Sequence, residues 1–139
     1  MLLSAKTFEL NIKLNNMNNL IIDAANDKIF FVIIADSKSY TSEHINHSEN
    51  FDKLTILILN FLKSHNLNIK NLNNIFVNQG PGKFSSIRAS LATAKAISFA
   101  NGIDLYGFNS NNVIDQNYAV IIDLFNKGVL IKNLIKPHY

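Results

Sequence analysis

The sequence contains no cysteine, which removes disulfides, thiolate metal sites and thiol catalysis and suits a reducing cytoplasm. No apolar run is long enough to span a membrane. The alternation Phe8-Glu9-Leu10-Asn11-Ile12-Lys13-Leu14 fits an edge strand and lacks the apolar core of a signal peptide. Charge of either sign is sparse: the net charge is +3, the pI is about 9.2, and the lysines are scattered along the chain without drawing a nucleic-acid-binding stripe. A phosphate-binding P-loop is also missing. Its motif needs a glycine five positions before the Gly82-Lys83 pair and a Ser or Thr after the lysine, and those positions hold Val77 and Phe84.

What is present is 139 residues with 47% apolar content, enough for one compact domain or one lobe plus a fragment. Residues 1–16 precede Met17 and are expected to be a loosely ordered extension. Three strands are predicted next, Leu20–Ala24, Ile29–Ala35 and Ser39–Ile45, joined by the turns Asn26-Asp27-Lys28 and Asp36-Ser37-Lys38 into an antiparallel meander. A helix is predicted from about Asn50 to His65, with Phe51, Leu54, Ile58, Phe61 and Leu62 on one stripe and Ile56, Leu57 and Leu59 widening the apolar surface beyond it. A helix apolar on most sides needs cover from a sheet and from something else.

The chain is organised around Asn78-Gln79-Gly80-Pro81-Gly82-Lys83-Phe84-Ser85-Ser86-Ile87-Arg88, which follows the buried-strand run Ile75-Phe76-Val77 and leads into an alanine-rich helical pattern ending at Asn101-Gly102. The glycines free the backbone, Pro81 stiffens the turn, and Ser85 or Ser86 is placed to cap the first amides of the helix. Such a loop is either a plain strand-to-helix turn or a place where an anion docks. Along the helix, Ile87, Leu91 and Ala94 fall on one side and Ala89, Ala92, Ala96 and Ala100 on the other, with Arg88 and Lys95 on the flank between. The bulky face suits the sheet. The smooth face suits another helix, either the Asn50–His65 helix or a partner's, at the short end of the usual spacing of about 8–10 Å. Leu105–Phe108 gives a further strand, parallel by the right-handed crossover rule. Residues 118–125 and 129–135 then read as a hairpin turning at Asn126-Lys127-Gly128.

Asp23, at the end of the first strand, is the carboxylate placed where a metal or nucleotide can meet it, or where it caps the following turn. His44 and His47 have the spacing of a metal pair but no third ligand nearby, so no metal site is expected.

This order of elements is that of one lobe of the actin-like ATPase (ribonuclease H-like) α/β fold: a mixed sheet of three antiparallel strands followed by parallel ones, with two main helices and here a C-terminal hairpin. Leu20-Ile21-Ile22-Asp23-Ala24-Ala25, His47-Ser48-Glu49, Gly80 to Arg88, Ala92-Thr93-Ala94-Lys95 and Asn101-Gly102-Ile103 resemble the bacterial TsaB family of tRNA threonylcarbamoyladenosine biosynthesis proteins. The resemblance covers residues 17–112, the first lobe of that family, and makes 113–139 a truncated remnant of the second.

The resemblance implies a cytoplasmic, non-catalytic scaffold with no cofactor. It would pair with the catalytic paralogue TsaD and work with the ATPase TsaE, meeting tRNA through the complex. It further implies that Arg88, Ala89, Ala92, Lys95 and Ala96 bind the partner, whether TsaD or a second copy in a homodimer. Gly80, Pro81, Gly82, Phe84 and Ser85 would shape the loop, and Asp23 would be a remnant nucleotide-site residue. Two departures stand out: Ala24-Ala25 replaces a Thr-Ser pair, removing hydroxyls that meet phosphate in active relatives of the fold, and Lys83-Phe84-Ser85-Ser86 replaces Ser-Phe-Thr-Gly in the loop. A weak ATPase using Asp23, the loop and a divalent ion is the alternative enzymatic reading.

Overall fold

The computed structural model describes residues 17–133 and 135–138; the Phe8–Leu14 alternation and the expected extension over 1–16 lie outside the described residues. The chain opens as a meander. β1 (Asn18–Asp23) and β2 (Lys28–Ala35) are runs of Ile, Val, Leu and Phe, and β3 (Lys38–Ile45) follows through Asp36 and Ser37, both at positive φ (51° and 61°). Two consecutive left-handed residues are what a two-residue hairpin turn requires to match the twist of its strands. β4 (Asn74–Asn78) and β5 (Asp104–Phe108) then add in parallel beside β1, and β6 (Ile131–Lys132) pairs antiparallel with β5. The order across the sheet is β3-β2-β1-β4-β5-β6.

Because side chains alternate across a strand, the sheet divides its apolar residues between two cores. Leu20, Ile22, Phe31, Ile33, Ile75, Val77 and Leu105 point to one face, where α2 (Leu54–Ser64) contributes Leu54, Ile58, Phe61 and Leu62, and α3 (Phe84–Asn101) contributes Ile87, Leu91, Ala94 and Ile97. Ile21, Phe30, Val32, Phe76 and Phe108 point to the other. α3 ends at Gly102, whose φ of 63° is the left-handed conformation that lets its amide reach back to the Ser98 carbonyl.

Two expectations are corrected. The helix expected over 50–65 is broken: α1 (Ser48–Phe51) buries no residue, Lys53 leaves helical geometry, and α2 starts afresh at Leu54, which the break turns into the core. More importantly, residues 118–125 are not a strand. They form α4 (Ala119–Asn126), which lays Tyr118 and Ile121 on the second face of the sheet and sets Phe125 edge-on to Phe76 (5.4 Å) and Tyr106 (5.0 Å). A short apolar run fits a buried strand and a buried helix alike. The uncovered sheet face decides between them, since a helix covers it and a hairpin strand beside β5 does not. Among the described residues of the expected second strand, Ile131–Lys132 alone joins the sheet.

Candidate functional site

The carboxyl ends of β1 and β4 meet at Asp23 and Asn78. Asp23 Oδ1 accepts from the Ala25 amide (3.2 Å) and from Asn78 Nδ2 (2.9 Å), while Oδ2 accepts from the Tyr118 hydroxyl (2.6 Å). All three donors belong to the chain itself. The bond to Ala25 is the turn-capping role open to Asp23 from sequence, and the other two knit β1 to β4 and to the start of α4. Burial, followed by the charge of Asp23 and the hydrogen bond to it, holds the Tyr118 phenol well above its ordinary value, so it stays a donor. Beside this clasp a cavity of about 370 Å³ opens to solvent, lined by Asp23, Asp27, Asp115, Lys28, Phe30 and Tyr118 among others. Its acids outnumber its single cation, and Lys28 is drawn to Glu43 at 3.0 Å, a lining ill-suited to polyphosphate.

The glycine loop lies between this clasp and α3. Gly82 packs on Ala25 so closely that a Cβ would come within 2.3 Å of the Ala25 carbonyl oxygen, the acceptor of the Lys83 amide. Gly80, at φ 105°, faces the backbone of the C-terminal segment: a Cβ there would meet the His138 carbonyl oxygen at 2.1 Å. The Gln79 carbonyl accepts from the His138 amide (2.6 Å), and Gln79 Nε2 donates to the Lys136 carbonyl (3.0 Å). The Gly80–Pro81 peptide is cis. The loop is therefore closed by the chain's own residues on both sides.

The serines do not cap the helix as expected. Ser86 is buried and its hydroxyl donates to the Ala24 carbonyl (2.7 Å), Ser85 is exposed, and the N-cap residue is Lys83, with no side-chain cap bond. The first turn of α3 packs on the Ala24–Ala25 turn instead, where Asn46 Nδ2 also donates to the Ala24 and Asn26 carbonyls and lies 2.9 Å from Ser86 Oγ. Asn46, Asn78, Gln79 and Tyr118 organise this end of the molecule and were not singled out by the sequence. Only the position of Asn78 and Gln79 beside the glycines offered a signal. The two histidines separate: His44 Nε2 bonds Ser42 Oγ (2.9 Å) with its ring 5.5 Å from Phe31, and His47 Nδ1 accepts from the Glu49 amide as the cap of α1.

The outer side of the helical layer is the opposite of this closed end. On α3, Arg88, Ala92, Lys95, Ala96 and Ala100 are exposed, Phe84 is 52% and Phe99 93% exposed, and Ala89 alone of the predicted interface residues is half-buried, packed against the first core. Packing within the molecule thus accounts for Ala89 and leaves the rest of the alanine face open. Arg88 lies over the Phe84 ring, 5.1 Å from its centroid. On α2, Ile56 and Leu59 add to the exposed apolar surface.

Against known proteins, the model of the family described as TsaD, tRNA N6-adenosine threonylcarbamoyltransferase, matches residues 40–119. The tRNA threonylcarbamoyladenosine biosynthesis protein TsaB of Buchnera aphidicola subsp. Schizaphis graminum is 26% identical over 97 residues, 70% of this chain and 46% of that protein. Among solved structures, YeaZ from Pseudomonas aeruginosa superposes with a TM-score of 0.67 at 12% identity, over 81% of this chain and 50% of its own. RuvC from T. thermophilus, solved with a Holliday junction substrate, superposes with a TM-score of 0.57 at 8% identity, over 85% of this chain and 100% of its own. The chain spans about half the length of the TsaB and YeaZ relatives. The two structural likenesses share the ribonuclease H-like, actin-like arrangement of the sheet. With more than half of its residues matched by the family model, the chain belongs to the TsaD family, as a TsaB-like member of it.

Proposed function

We propose that this chain is a non-catalytic scaffold subunit in the biosynthesis of tRNA threonylcarbamoyladenosine, binding a catalytic TsaD subunit through the outer face of α2 and α3. The observation that carries this reading is the exposed face of α3, where Ala92, Ala96 and Ala100 leave the helix open to close approach while Phe99 stands almost wholly in solvent. Arg88 and Lys95 flank that face, and Ala89 marks its inner border. In this reading TsaE joins the complex, tRNA is met through the assembly, and the work is done in the cytoplasm. Residues 17–112 supply the lobe shared with the relatives, and 113–139 correspond to the start of their second half, of which α4 here covers the sheet.

A non-enzymatic role is supported by the closed end: Ala24 and Ala25 offer no hydroxyl, and both oxygens of Asp23 are engaged by the protein. Calorimetry with Mg-ATP is expected to show no binding, and micromolar affinity would revive the weak ATPase. The interface is tested by Ala92→Glu and Ala96→Glu. Both are expected to keep the melting temperature near that of the parent and to abolish co-purification with the TsaD subunit of the same organism; a folded mutant that still forms the complex removes this face from it.

A further inference from the structure

We infer that the outer face of α2 and α3 selects a protein partner bearing carboxylates and disfavours a second copy of this chain; the inference rests on reading that face as an interface. Between Asp52 and Asp104 the sequence has no Asp or Glu, yet it holds Lys53, Lys63, Lys70, Lys83, Arg88 and Lys95. Both helices lie wholly inside this stretch. Lys83 reaches outside it to Asp27 at 3.2 Å. Among the described residues, no carboxylate pairs with Lys63, Arg88 or Lys95, although all three stand on the exposed side.

At helical spacing, Arg88, Ala92, Lys95, Ala96 and Phe99 make one outward stripe on α3, and Ile56, Leu59 and Lys63 make another on α2. The apolar members gain from burial, whereas cations taken into an interface without counter-charges lose their hydration for nothing. A two-fold contact uses the same patch on both copies, so it brings cations to cations. The nearest carboxylates along the chain are Glu49 and Asp52, in α1 and at its end, and Asp104, which lines a cavity with Lys95 and Phe99 but is already paired with Lys132 at 3.5 Å; all three lie outside both helices. A helical partner surface with Asp or Glu opposite Arg88 and Lys95 satisfies both requirements at once, with the guanidinium able to take a carboxylate through two bonds. RNA is the other polyanion, but smooth alanines between the cations suit a helix surface better than a phosphate backbone.

The chain supplies its own probe, because R88E/K95E is an acidic counterpart of the same shape. Mixed in equal amounts at low salt and followed by analytical ultracentrifugation, wild-type and R88E/K95E chains are expected to associate at least about tenfold more tightly than either does alone, and the gain is expected to fade as salt rises. The neutral R88Q/K95Q variant, expected to raise self-association, serves if the reversed chain misfolds. R88E/K95E is likewise expected to bind the TsaD subunit at least about tenfold more weakly than wild type. If the wild type self-associates as tightly as the mixture, or if R88E/K95E keeps its grip on TsaD while Ala92→Glu loses it, the face is an interface without charge selection and this inference alone falls. If Ala92→Glu changes neither association, the face is no interface and the underlying reading falls too. Binding of tRNA by the wild type that is lost in R88E/K95E, with no gain in the mixture, would reassign the cations to nucleic acid and overturn the proposal.

Discussion

The end of the molecule where β1, β4 and the glycine loop meet is closed by its own hydrogen bonds, while the outer side of α2 and α3 is left open and apolar. At the first, Asp23 is engaged by Ala25, Asn78 and Tyr118, and Gly80 lies under the backbone of His138. At the second, Phe99 is 93% exposed and Ile56 59%. In folds of this kind a ligand is expected at the carboxyl ends of the strands. Here that position is occupied by structural bonds, and the surface without a partner is on the helices. The proposed scaffold role rests on this contrast.

The closed end is broken most severely by ending the chain at Gln116. This removes α4, β6 and the segment over the glycine loop, exposing Ile21, Phe30, Val32, Phe76 and Phe108. At about 25 cal/mol per Å² of apolar surface the loss amounts to several kcal/mol, comparable to the stability of a small domain. The truncated chain is expected to aggregate or to melt without a cooperative transition in differential scanning fluorimetry. A soluble truncation with an unchanged melting temperature would show that α4 is an ornament to the fold.

Gly82→Ala comes next. Its new Cβ would stand 2.3 Å from the Ala25 oxygen, a backbone atom that cannot swing away, so the Lys83 to Ala25 bond has to open. A cost of about 1–3 kcal/mol in chemical denaturation is expected, typical of overpacking at a tight contact. A neutral effect would mean the loop has slack that its geometry does not suggest.

Tyr118→Phe is the smallest change and the most informative about the clasp. It leaves one oxygen of a buried carboxylate without its donor, expected to cost about 1–3 kcal/mol. The raised pKa gives a second readout with a definite sign. Above its ordinary value of about 10, the unfolded phenol gives up its proton while the folded one keeps it, so the folded state binds more protons and stability falls as pH rises past that point. The wild type is expected to lose stability above about pH 10 more steeply than Tyr118→Phe does. Identical alkaline profiles would remove Tyr118 from the clasp.

Much of the sheet was legible because most of its strands are short runs of Ile, Val, Leu and Phe ended by polar turns. The two faces of α3 were legible for the same reason, since alanine and bulky residues separate at helical spacing. Residues 119–126 were misread because Val120, Ile121 and Ile122 favour a strand locally, while the reason for a helix there is the bare second face of a sheet built mostly from residues before 109. That is information held by the tertiary structure. The clasp was hidden likewise: Asp23 was visible at a strand end, but its partners Asn78 and Tyr118 come from positions 55 and 95 residues away.

Those separations bear on how the protein folds. β1 gains its second neighbour, β4, only after β2, β3, α1 and α2 have been traversed, so closing the sheet means bringing together chain segments far apart in sequence before any bond between them is made. Folding is expected to be slower than in a helical bundle of similar length, with the β1–β2–β3 meander forming from nearby contacts and α4 docking late. Late docking gives the Asp23–Tyr118 bond a kinetic character: in stopped-flow measurements Tyr118→Phe is expected to hasten unfolding while leaving the refolding rate nearly unchanged, making a single hydroxyl a brake on the opening of the molecule and not a driver of its assembly.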